Sequence, residues 1–370
     1  MQKGDAAMKK VGVIGLGIIG GSLVKAINRK GLSECIVAYN RNTQITRQAL
    51  LDGEIHQAAG EIDNSFEGCE LIFICLPVSK IPDIIQKLGN IVDKNCILSD
   101  VGSTKTDVVE AVRKMSISCP FIGGHPMAGS ETSGYKASRH TLFENAYYVL
   151  TPFKETQTIH VDRLVQFIKN LGALPIVIDP SIHDYAAAAI SHVPHVLASA
   201  LVNTIQKLDG QEQLMHTLAA GGFKDITRIA SSSPEIWESI CLANRDNIIE
   251  IINELEKSIR DFKKILSRED TGTLYNFFAG AREYRDSFSE RRVGALYKTY
   301  DIVVDVEDRP GVIATIAGEL GRHGINIKNI GINNSREMEG GILEICFYDR
   351  ENQEASADIL KKMSYPVSVR

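Results

Sequence analysis

Residues 10–20 read KVGVIGLGIIG, and this stretch decides the fold of the first part of the chain. The apolar run predicts a β-strand, and a GxGxxG turn follows it at the start of an apolar-periodic helix. In such a turn Gly15 allows the tight bend, Gly17 lets a pyrophosphate approach the backbone, and Gly20 permits close packing of helix on strand. The alternative is a glycine-rich turn that binds no ligand. The flanking strand and helix favour a dinucleotide site with its anion at the helix N-terminus, formed by Gly15, Leu16, Gly17, Ile18, Ile19 and Gly20.

The end of the second predicted strand bears on which dinucleotide binds. An NAD site usually offers an Asp or Glu here to the ribose hydroxyls, but this strand ends in Asn40 and Arg41. Arg41 can accept a 2′-phosphate, which favours NADP. Alternatively, Asn40 hydrogen-bonds the ribose of NAD while Arg41 lies along the adenine or in solvent. The residues leave both cofactors open.

Further short apolar runs alternate with helical stretches up to Pro180. This order predicts an α/β fold with a Rossmann-like, doubly wound and mostly parallel sheet in a first domain of residues 8–180. The predicted strands after the second lie at residues 71–76, 96–99, 121–122, 147–150 and 176–178.

The rest of the chain predicts two more domains. Residues 181–292 form a helical block, expected to complete the active site and to pair subunits. Its predicted helices are 181–208, 211–219, 234–266 and 271–288. Residues 298–370 read βαββαβ, the split βαβ arrangement of ferredoxin-like domains. Their predicted strands are 300–306, 326–333, 340–348 and 366–369, and their predicted helices are 312–323 and 354–361.

Composition excludes several classes of protein. There are 41 Lys and Arg against 46 Asp and Glu, a net charge of −5, without the long basic runs that bind nucleic acid. The apolar runs, such as 71–76 and 186–190, are shorter than a membrane span, and residues 1–10 lack the apolar core of a signal peptide. We therefore expect no membrane partner and a cytoplasmic location. Seven scattered cysteines without a CxxC pair predict neither a disulfide framework nor a metal site.

Three polar clusters interrupt the fold pattern, at residues 100–105, 123–131 and 221–228. The first two follow predicted strands, at the sheet edge where open α/β proteins bind ligands. His125, flanked by two glycines and a proline, lies on a tight loop where an imidazole can act as a base near neutral pH. A solvated or structural histidine is the alternative, and nearby Ser103 and Glu131 favour the functional interpretation.

The chain resembles the prephenate dehydrogenases of tyrosine biosynthesis, in the bacterial form that carries a carboxy-terminal ACT domain. The resemblance spans all three segments and rests on the motifs GLGIIGGS (15–22), DVGSTK (100–105), GGHPMAGSE (123–131), SHVPH (191–195), AAGGFKDITRIASSSPEIW (219–237) and EYRDS (283–287). It implies oxidative decarboxylation of prephenate to 4-hydroxyphenylpyruvate with NAD(P)+. By resemblance His125 is the catalytic base, and Ser103 hydrogen-bonds both the imidazole and the substrate hydroxyl.

The resemblance also implies a set of substrate-binding residues. Arg228 is expected to grip a carboxylate through two hydrogen bonds, with Asp225 orienting it or joining an interface network; an exposed ion pair is the alternative. His195 is expected near the substrate side chain, while His192 suits either the site or the core. Trp237 is expected to pack in the core, and the resemblance places it near the substrate pocket. Glu131 is expected either to gate the pocket or to pair with a cation across it.

The carboxy-terminal segment carries the ACT signature, which implies an amino-acid effector. Gly311 lies where a side chain would obstruct that effector, and the helix that follows offers N–H groups to a carboxylate. We expect L-tyrosine to bind at paired ACT domains and inhibit the enzyme; a purely structural dimerisation module is the alternative. Both the helical block and the ACT domain indicate a homodimer. The expected effector-binding residues are Asp308, Arg309, Pro310, Gly311, Asn326 and Ile327.

Three other functions compete with this interpretation. Arogenate dehydrogenase runs the same ring chemistry on a substrate with an amino-acid side chain. A β-hydroxyacid dehydrogenase would use a helix-borne lysine as its base, and the GGHPMAGSE loop argues against it. A sensor of amino acids on an inactive dehydrogenase scaffold belongs to a different class, but Ser103, His125 and Arg228 are all present.

Overall fold

The computed structural model describes residues 7–129, 132, 134–290, 300–307, 309–333 and 341–369. The chain divides into two compact units, residues 1–259 and 260–370. Each unit is built around its own sheet or sheets. The domain limits 8–180, 181–292 and 298–370 stay a prediction.

The first sheet is parallel throughout, with strand order β3-β2-β1-β4-β5. Its strands are β1 (Met8–Ile14), β2 (Ser33–Tyr39), β3 (Gln57–Ala59), β4 (Leu71–Ile74) and β5 (Ile97–Asp100). The helices between them are α1 (Ile18–Arg29), α2 (Thr43–Leu51), α3 (Ile81–Gly89) and α4 (Thr106–Arg113). The strand order reverses beside β1, so the predicted Rossmann-like, doubly wound arrangement is confirmed. Strand β3 was not predicted from the sequence.

A smaller sheet of three strands extends this architecture. It contains β6 (Ile122–Pro126), β7 (Tyr147–Pro152) and β8 (Leu174–Val177), with α5 (Thr158–Asn170) before β8. Strand β7 runs antiparallel to β6 and parallel to β8. One parallel bridge, Leu98 to Phe121, links β5 to the start of β6. The prediction of a mostly parallel sheet therefore holds with one antiparallel pair, and β6 carries His125 to the same edge as Asp100.

Apolar side chains fill both faces of the first sheet. All four residues of β4 are buried, as expected for a strand covered by helices on both sides. One side of the core includes Leu23, Ile27, Phe143 and Phe167, and the other includes Phe66, Ile85, Leu88 and Val112. This packing holds the carboxyl ends of the strands as a rigid platform for the site.

The helical region begins with one continuous helical stretch. It consists of α6 (Pro180–Ala187), a π-helical turn (Ala188–His192) and α7 (Val193–Leu208). Pro194 has no N–H group to continue the regular ladder, which accounts for a π-helical turn just before it. The later helices are α8 (Leu214–Leu218), α9 (Gly221–Thr227), α10 (Pro234–Ala243), α11 (Arg245–Ser267) and α12 (Thr271–Glu290). Short 3-10 helices lie at Asn64–Phe66, Val78–Lys80, Tyr135–Ala137 and Arg228–Ser231.

Two predicted helices differ from the observed ones. The helix predicted over residues 234–266 breaks at Asn244, whose buried amide nitrogen donates to the carbonyl of Asp184 at 2.7 Å and to Nδ1 of His192 at 3.1 Å. The stretch predicted as a helix over 211–219 is helical only in α8. A local pattern carries no information about the distant partner of Asn244.

The stretch Pro180–Leu208 is long and apolar enough to cross a membrane by length and composition alone. Its most apolar window of 18 residues has a mean hydropathy of 1.4. The short apolar runs 71–76 and 186–190 did not indicate a segment of this length. The helix nevertheless carries three polar side chains, His183, Asp184 and His192, that are buried among protein groups. These residues tie the stretch to the rest of the first unit.

The ACT-like part of the second unit forms one antiparallel sheet of order β10-β11-β9-β12. Its elements are β9 (Tyr300–Val306), α13 (Val312–Arg322), β10 (Ile327–Asn333), β11 (Gly341–Phe347), α14 (Arg350–Lys362) and β12 (Val367–Val369). Alternate residues of β9 and β11 point into a core shared with both helices, which includes Ile302, Val304, Ile316, Ile345 and Leu360. The predicted βαββαβ order is confirmed.

Candidate active site

The glycine turn has the geometry that a dinucleotide requires. Gly15 has a φ of +93°, and a Cβ there would collide with the carbonyl oxygen of Cys75. A Cβ at Gly20 would collide with the carbonyl of Gly15, whereas one at Gly17 would meet nothing within 4 Å. No side chain caps the N-terminus of α1, which leaves its N–H groups available to an anion. The open backbone at Gly17 and the uncapped helix end fit a pyrophosphate.

Asn40 supports this turn from the end of β2. Its Oδ1 accepts a hydrogen bond from the backbone N–H of Leu16 at 2.9 Å, and its Nδ2 donates to the carbonyl of Asn42 at 3.1 Å. The side chain of Asn40 therefore stabilises the glycine turn through these two hydrogen bonds, in addition to any contact with a ribose. Arg41 is exposed beside it.

A cavity of about 500 Å³ opens next to the cofactor turn. Ile18 of the turn lies in its wall, and Ser103, His125, His195 and Trp237 line it as well. Four residues predicted from separate motifs thus meet around one space that also touches the cofactor site. The remaining wall is largely apolar and comes from the segment after His125, the π-helical turn, the segment after Arg228 and α10.

His125 is bonded to a buried histidine that the sequence analysis did not identify. Its Nδ1 lies 2.8 Å from Nε2 of His183, whose own Nδ1 lies 2.8 Å from Oδ1 of Asp184. Ser103 lines the same cavity, but no hydrogen bond joins these two described residues, so Ser103 is not the partner of the His125 ring in this structure. Burial, followed by the effects of His183, Lys105 and His192, holds the pKa of His125 well below 6.5. The ring is therefore neutral, as a base must be.

A buried ion pair lies directly behind His125. Nζ of Lys105 contacts Oδ2 of Asp100 and donates to the carbonyl of Gly124 at 2.8 Å. Asp100 in turn accepts from the backbone N–H groups of Gly102 at 2.8 Å and Gly124 at 3.1 Å. Burial lowers the pKa of Lys105, and Asp100 opposes that effect. The pair fixes the backbone of the residue before His125.

The opposite wall is a stack of aromatic rings. The imidazole of His195 lies against the indole of Trp237, and His192 meets the same indole edge-on. Nδ1 of His195 donates to the carbonyl of Ser191 at 3.0 Å. Burial lowers the pKa of His195, so the ring is neutral and its Nε2 is an acceptor. His192 is buried and bonded to Asn244, which favours the core interpretation for that residue.

Other predicted site residues are not brought into this cavity. Arg228 and Asp225 are exposed and do not line it, although Ile229 and Ser232 do. Glu131 lies outside the described residues. The assignments of Arg228, Asp225 and Glu131 therefore stay predictions.

Sequence reasoning missed His183, Asp184 and Asn244, and it left Asp100 and Lys105 without roles. Asp100 and Lys105 stand in the DVGSTK motif, which is the signal that could have identified them. His183 and Asp184 follow the expected domain limit at Pro180 and belong to no quoted motif. Their only signal was the rare placement of His and Asp side by side in an apolar helix.

The ACT loop is only partly described. Gly311 has a φ of +90° at the N-cap of α13, and a Cβ there would meet nothing within 4 Å. Asn326 and Ile327 stand at the start of β10, and Arg309 contacts Glu307 at 3.6 Å. Pro310 lies in the turn before Gly311. Asp308 lies outside the described residues.

Comparison with known proteins matches all three segments. Family models of the prephenate dehydrogenase nucleotide-binding domain, the prephenate dehydrogenase dimerization domain and the ACT domain match residues 23–177, 179–280 and 300–358. Prephenate dehydrogenase of Bacillus subtilis is 36% identical over 349 residues, 94% of either chain.

Solved structures agree with this assignment. Prephenate dehydrogenase from A. aeolicus, in complex with hydroxyphenyl propionate and NAD+, superposes with a TM-score of 0.73 at 31% identity, covering 77% of this chain and 99% of that one. Arogenate dehydrogenase of Synechocystis superposes with a TM-score of 0.67 at 28% identity, covering 75% and 99%. The chain therefore belongs to the prephenate dehydrogenase family of NAD-dependent oxidoreductases.

Proposed function

We propose that the chain oxidatively decarboxylates prephenate to 4-hydroxyphenylpyruvate with NAD+. The observation that carries the proposal is the neutral His125 ring in the wall of a cavity that also reaches Ile18 of the cofactor turn. The base must reach the substrate hydroxyl while the hydride acceptor reaches the carbon that bears it, and a cavity lined by both His125 and Ile18 of the cofactor turn supports this arrangement. The family relatives support the choice of substrate.

The reaction needs one base that takes up a proton and later returns it. Bound NAD+ supplies the acceptor for the hydride that leaves the ring carbon bearing the hydroxyl. His125 accepts the proton of that hydroxyl, and the bond to the ring carboxylate breaks, so that carbon dioxide leaves and its electron pair makes the ring aromatic. The phenolic oxygen then takes the proton back from His125. Because the proton returns, the overall reaction releases none.

Polar residues of the cavity are proposed to hold the dianionic substrate. We propose that Ser103 hydrogen-bonds the hydroxyl and that His195 contacts the substrate side chain, because both residues line the cavity. Arg228 is proposed to bind a carboxylate because the next residue, Ile229, lines the cavity. Trp237 provides an apolar surface beside His195. Glu131 and Asp225 are retained as proposed gate and orienting residues.

The direct test is the initial rate of reduced-nicotinamide formation. Prephenate with NAD+ is expected to give turnover and 4-hydroxyphenylpyruvate as product. Turnover with arogenate and not with prephenate would assign the chain to the arogenate branch, for which the Synechocystis structure is the precedent. Folded protein that binds NAD+ but turns over neither substrate would overturn the enzymatic proposal and favour a sensor.

The same assay with NADP+ tests the role of Arg41. NAD is the cofactor of the family, and the absence of an acid at Asn40 leaves room for NADP+ as well. If Arg41 binds a 2′-phosphate, Arg41→Ala raises the KM for NADP+ and leaves the KM for NAD+ unchanged. Equal effects on both cofactors would show that Arg41 does not read the phosphate.

Regulation by L-tyrosine is proposed for the ACT domain. The uncapped start of α13 and the open space at Gly311 suit an amino-acid carboxylate, and Arg309, Pro310, Asn326 and Ile327 are proposed to complete the site with Asp308. Inhibition of the initial rate by added L-tyrosine tests this proposal. Saturating tyrosine without effect on rate or thermal stability would refute it.

We also propose that the chain is a cytoplasmic homodimer. The family model over residues 179–280 describes a dimerization domain. Several large apolar side chains in that range are exposed in the single chain, as expected for a surface that a second copy covers. They include Leu197, Leu201, Leu214, Leu218, Ile259 and Phe278. All seven cysteines are free thiols, which suits a reducing compartment. Sedimentation equilibrium at micromolar concentration tests the dimer.

A further inference from the structure

Three residues form a linear chain of hydrogen bonds that ends at His125. Asp184 and His183 are neighbours in α6, and both side chains are almost fully buried, at 1% and 2% relative exposure. The distance between the nitrogens of the two imidazole rings is 2.8 Å, and the distance from Nδ1 of His183 to the carboxylate of Asp184 is also 2.8 Å. The rings of His183 and His125 meet edge-on, with an interplanar angle of 81°. Neither His183 nor Asp184 lines the cavity, whereas His125 does, so the pair acts on the substrate through His125.

The charge of Asp184 decides where the protons lie. Its Oδ1 accepts from the backbone N–H of Lys105 at 2.8 Å, and its Oδ2 accepts from that of Thr106 at 2.8 Å. Burial alone would raise the pKa of Asp184, but the hydrogen bonds from His183 and Thr106 lower it below 3.8. An ionised Asp184 cannot donate, so Nδ1 of His183 carries the proton of their shared hydrogen bond.

The proton on Nδ1 of His183 determines which nitrogen of His125 carries a proton. The His183 tautomer that donates from Nδ1 to Asp184 has its lone pair at Nε2, and this lone pair accepts from Nδ1–H of His125. A neutral His125 protonated at Nδ1 then has its lone pair at Nε2. Since Nδ1 is engaged with the buried His183, Nε2 is the ring nitrogen left for the cavity.

We propose that His183, held by Asp184, is a positioning residue that fixes His125 in the tautomer whose Nε2 accepts the substrate proton. The proposal rests on the proposed function, because it assigns how the base of that reaction is prepared. When His125 takes up a proton it still donates from Nδ1 to His183, so the contact persists in both protonation states. The bond orients the ring without moving any atom during the reaction.

The charged groups around His125 are consistent with this role. Lys105 approaches from the start of α4 and is paired with Asp100 of β5. His192 approaches from the π-helical turn and disfavours a charged His125, as do Lys105 and His183. Asp184 is separated from His125 by the His183 ring. Hence His183 is the group that bonds directly to the His125 ring.

Two variants of His183 separate positioning from structure. Gln in this position presents an amide oxygen where Nε2 of His183 accepts, whereas Met has a similar length and only a weakly accepting sulfur. We expect His183→Met to lower kcat about a hundredfold with KM changed less than threefold, since general-base catalysis of this kind contributes about 10²–10⁴ in rate. His183→Gln is expected to recover at least a tenth of the wild-type kcat. Equal losses in two folded variants, or no loss in His183→Met, would overturn the proposal.

A second measurement does not depend on turnover. In protein labelled with ¹⁵N-histidine, two-bond ¹H–¹⁵N spectra at pH 7.5, assigned with His125→Asn, report the tautomer of His125 in the free enzyme. Protonated Nδ1 with bare Nε2 is expected in the wild type, and a shift toward the other tautomer in His183→Met. Wild-type protein with a proton on Nε2 would overturn the proposal even if prephenate is turned over. Lack of turnover with the expected tautomer would instead count against the proposed function.

Discussion

The imidazole of His195 stacks on the indole of Trp237, with ring centroids 3.7 Å apart and planes inclined by 26°. The hydrogen bond from Nδ1 of His195 to the carbonyl of Ser191 holds the ring in this place. Both stacked residues line the cavity, and Nε2 of His195 is the ring nitrogen that this hydrogen bond leaves available. Because Trp237 is the single tryptophan of the chain, its fluorescence reports directly on this wall.

Removing the indole should weaken substrate binding without changing the base. An aromatic contact between the indole and the ring of the substrate contributes about 0.5–1.5 kcal/mol, so Trp237→Ala is expected to raise the KM for prephenate by about two- to twelvefold. Trp237→Phe keeps a ring for His195 and serves as the matched control, with a smaller rise. Steady-state kinetics measure both. A fall in kcat at unchanged KM would contradict the placement of Trp237 in the binding wall.

The buried pair of Lys105 and Asp100 should dominate local stability. Lys105→Met leaves a buried carboxylate without its partner and is expected to lower the free energy of unfolding by about 3–5 kcal/mol. The double variant with Asp100→Asn removes that charge and should be less unstable than the single variant. Lys264→Met, which breaks an exposed pair with Asp261, is the control and should cost under about 1 kcal/mol. Equal urea midpoints for Lys105→Met and Lys264→Met would refute this account.

His192 should make the protein sensitive to acid. Burial lowers its pKa to about 4, against about 6.5 in the unfolded chain. The unfolded state therefore binds the proton first, so the stability that this residue contributes is complete above pH 6.5 and is lost as the pH falls toward 4. The loss amounts to about 3 kcal/mol. His192→Asn keeps an acceptor for Asn244 and should flatten the pH dependence of unfolding; parallel curves for variant and wild type would rule this out.

The start of α13 should control inhibition by tyrosine. Gly311→Asn adds a side chain in the open space, and asparagine tolerates a positive φ better than other residues, so the backbone change is small. Inhibition by L-tyrosine is expected to weaken at least tenfold, with the rate in its absence as the internal reference. Gly318→Ala changes an exposed position of the same helix and is the control. L-Tyrosine should inhibit this variant as it inhibits the wild type. Identical inhibition curves for the two variants would place the effector elsewhere.

The sequence predicted the strands, the glycine turn and the ACT-like order because each depends on local patterns. The apolar run LIFI predicts that β4 is buried on both faces, and the alternating pattern of β9 predicts a strand buried on one face. The break at Asn244 was missed because it depends on contacts with Asp184 and His192, more than fifty residues away. Strand β3 was missed because three residues carry too little periodicity.

The site residues also differ in whether local patterns could predict them. Ser103, His125, His195 and Trp237 stand in recognisable motifs, and the structure brings them around one cavity. The partner of His125 could not be predicted, because His183 approaches it only through the packing of α6 on α4 and β6. The structure shows His183, and not Ser103, at Nδ1 of the His125 ring, and the expected hydrogen bond from Ser103 to this ring stays a prediction.

The role of His125 is tested most directly by the rate of NADH formation from prephenate by His125→Asn. The asparagine amide can still donate to His183, so the fold and the cofactor site are expected to persist, but the imidazole base proposed to face the substrate hydroxyl is gone. The account predicts a fall in kcat of at least about a thousandfold with an unchanged Kd for NAD+. A variant that binds NAD+ and keeps full turnover would contradict the assignment of His125 as the base.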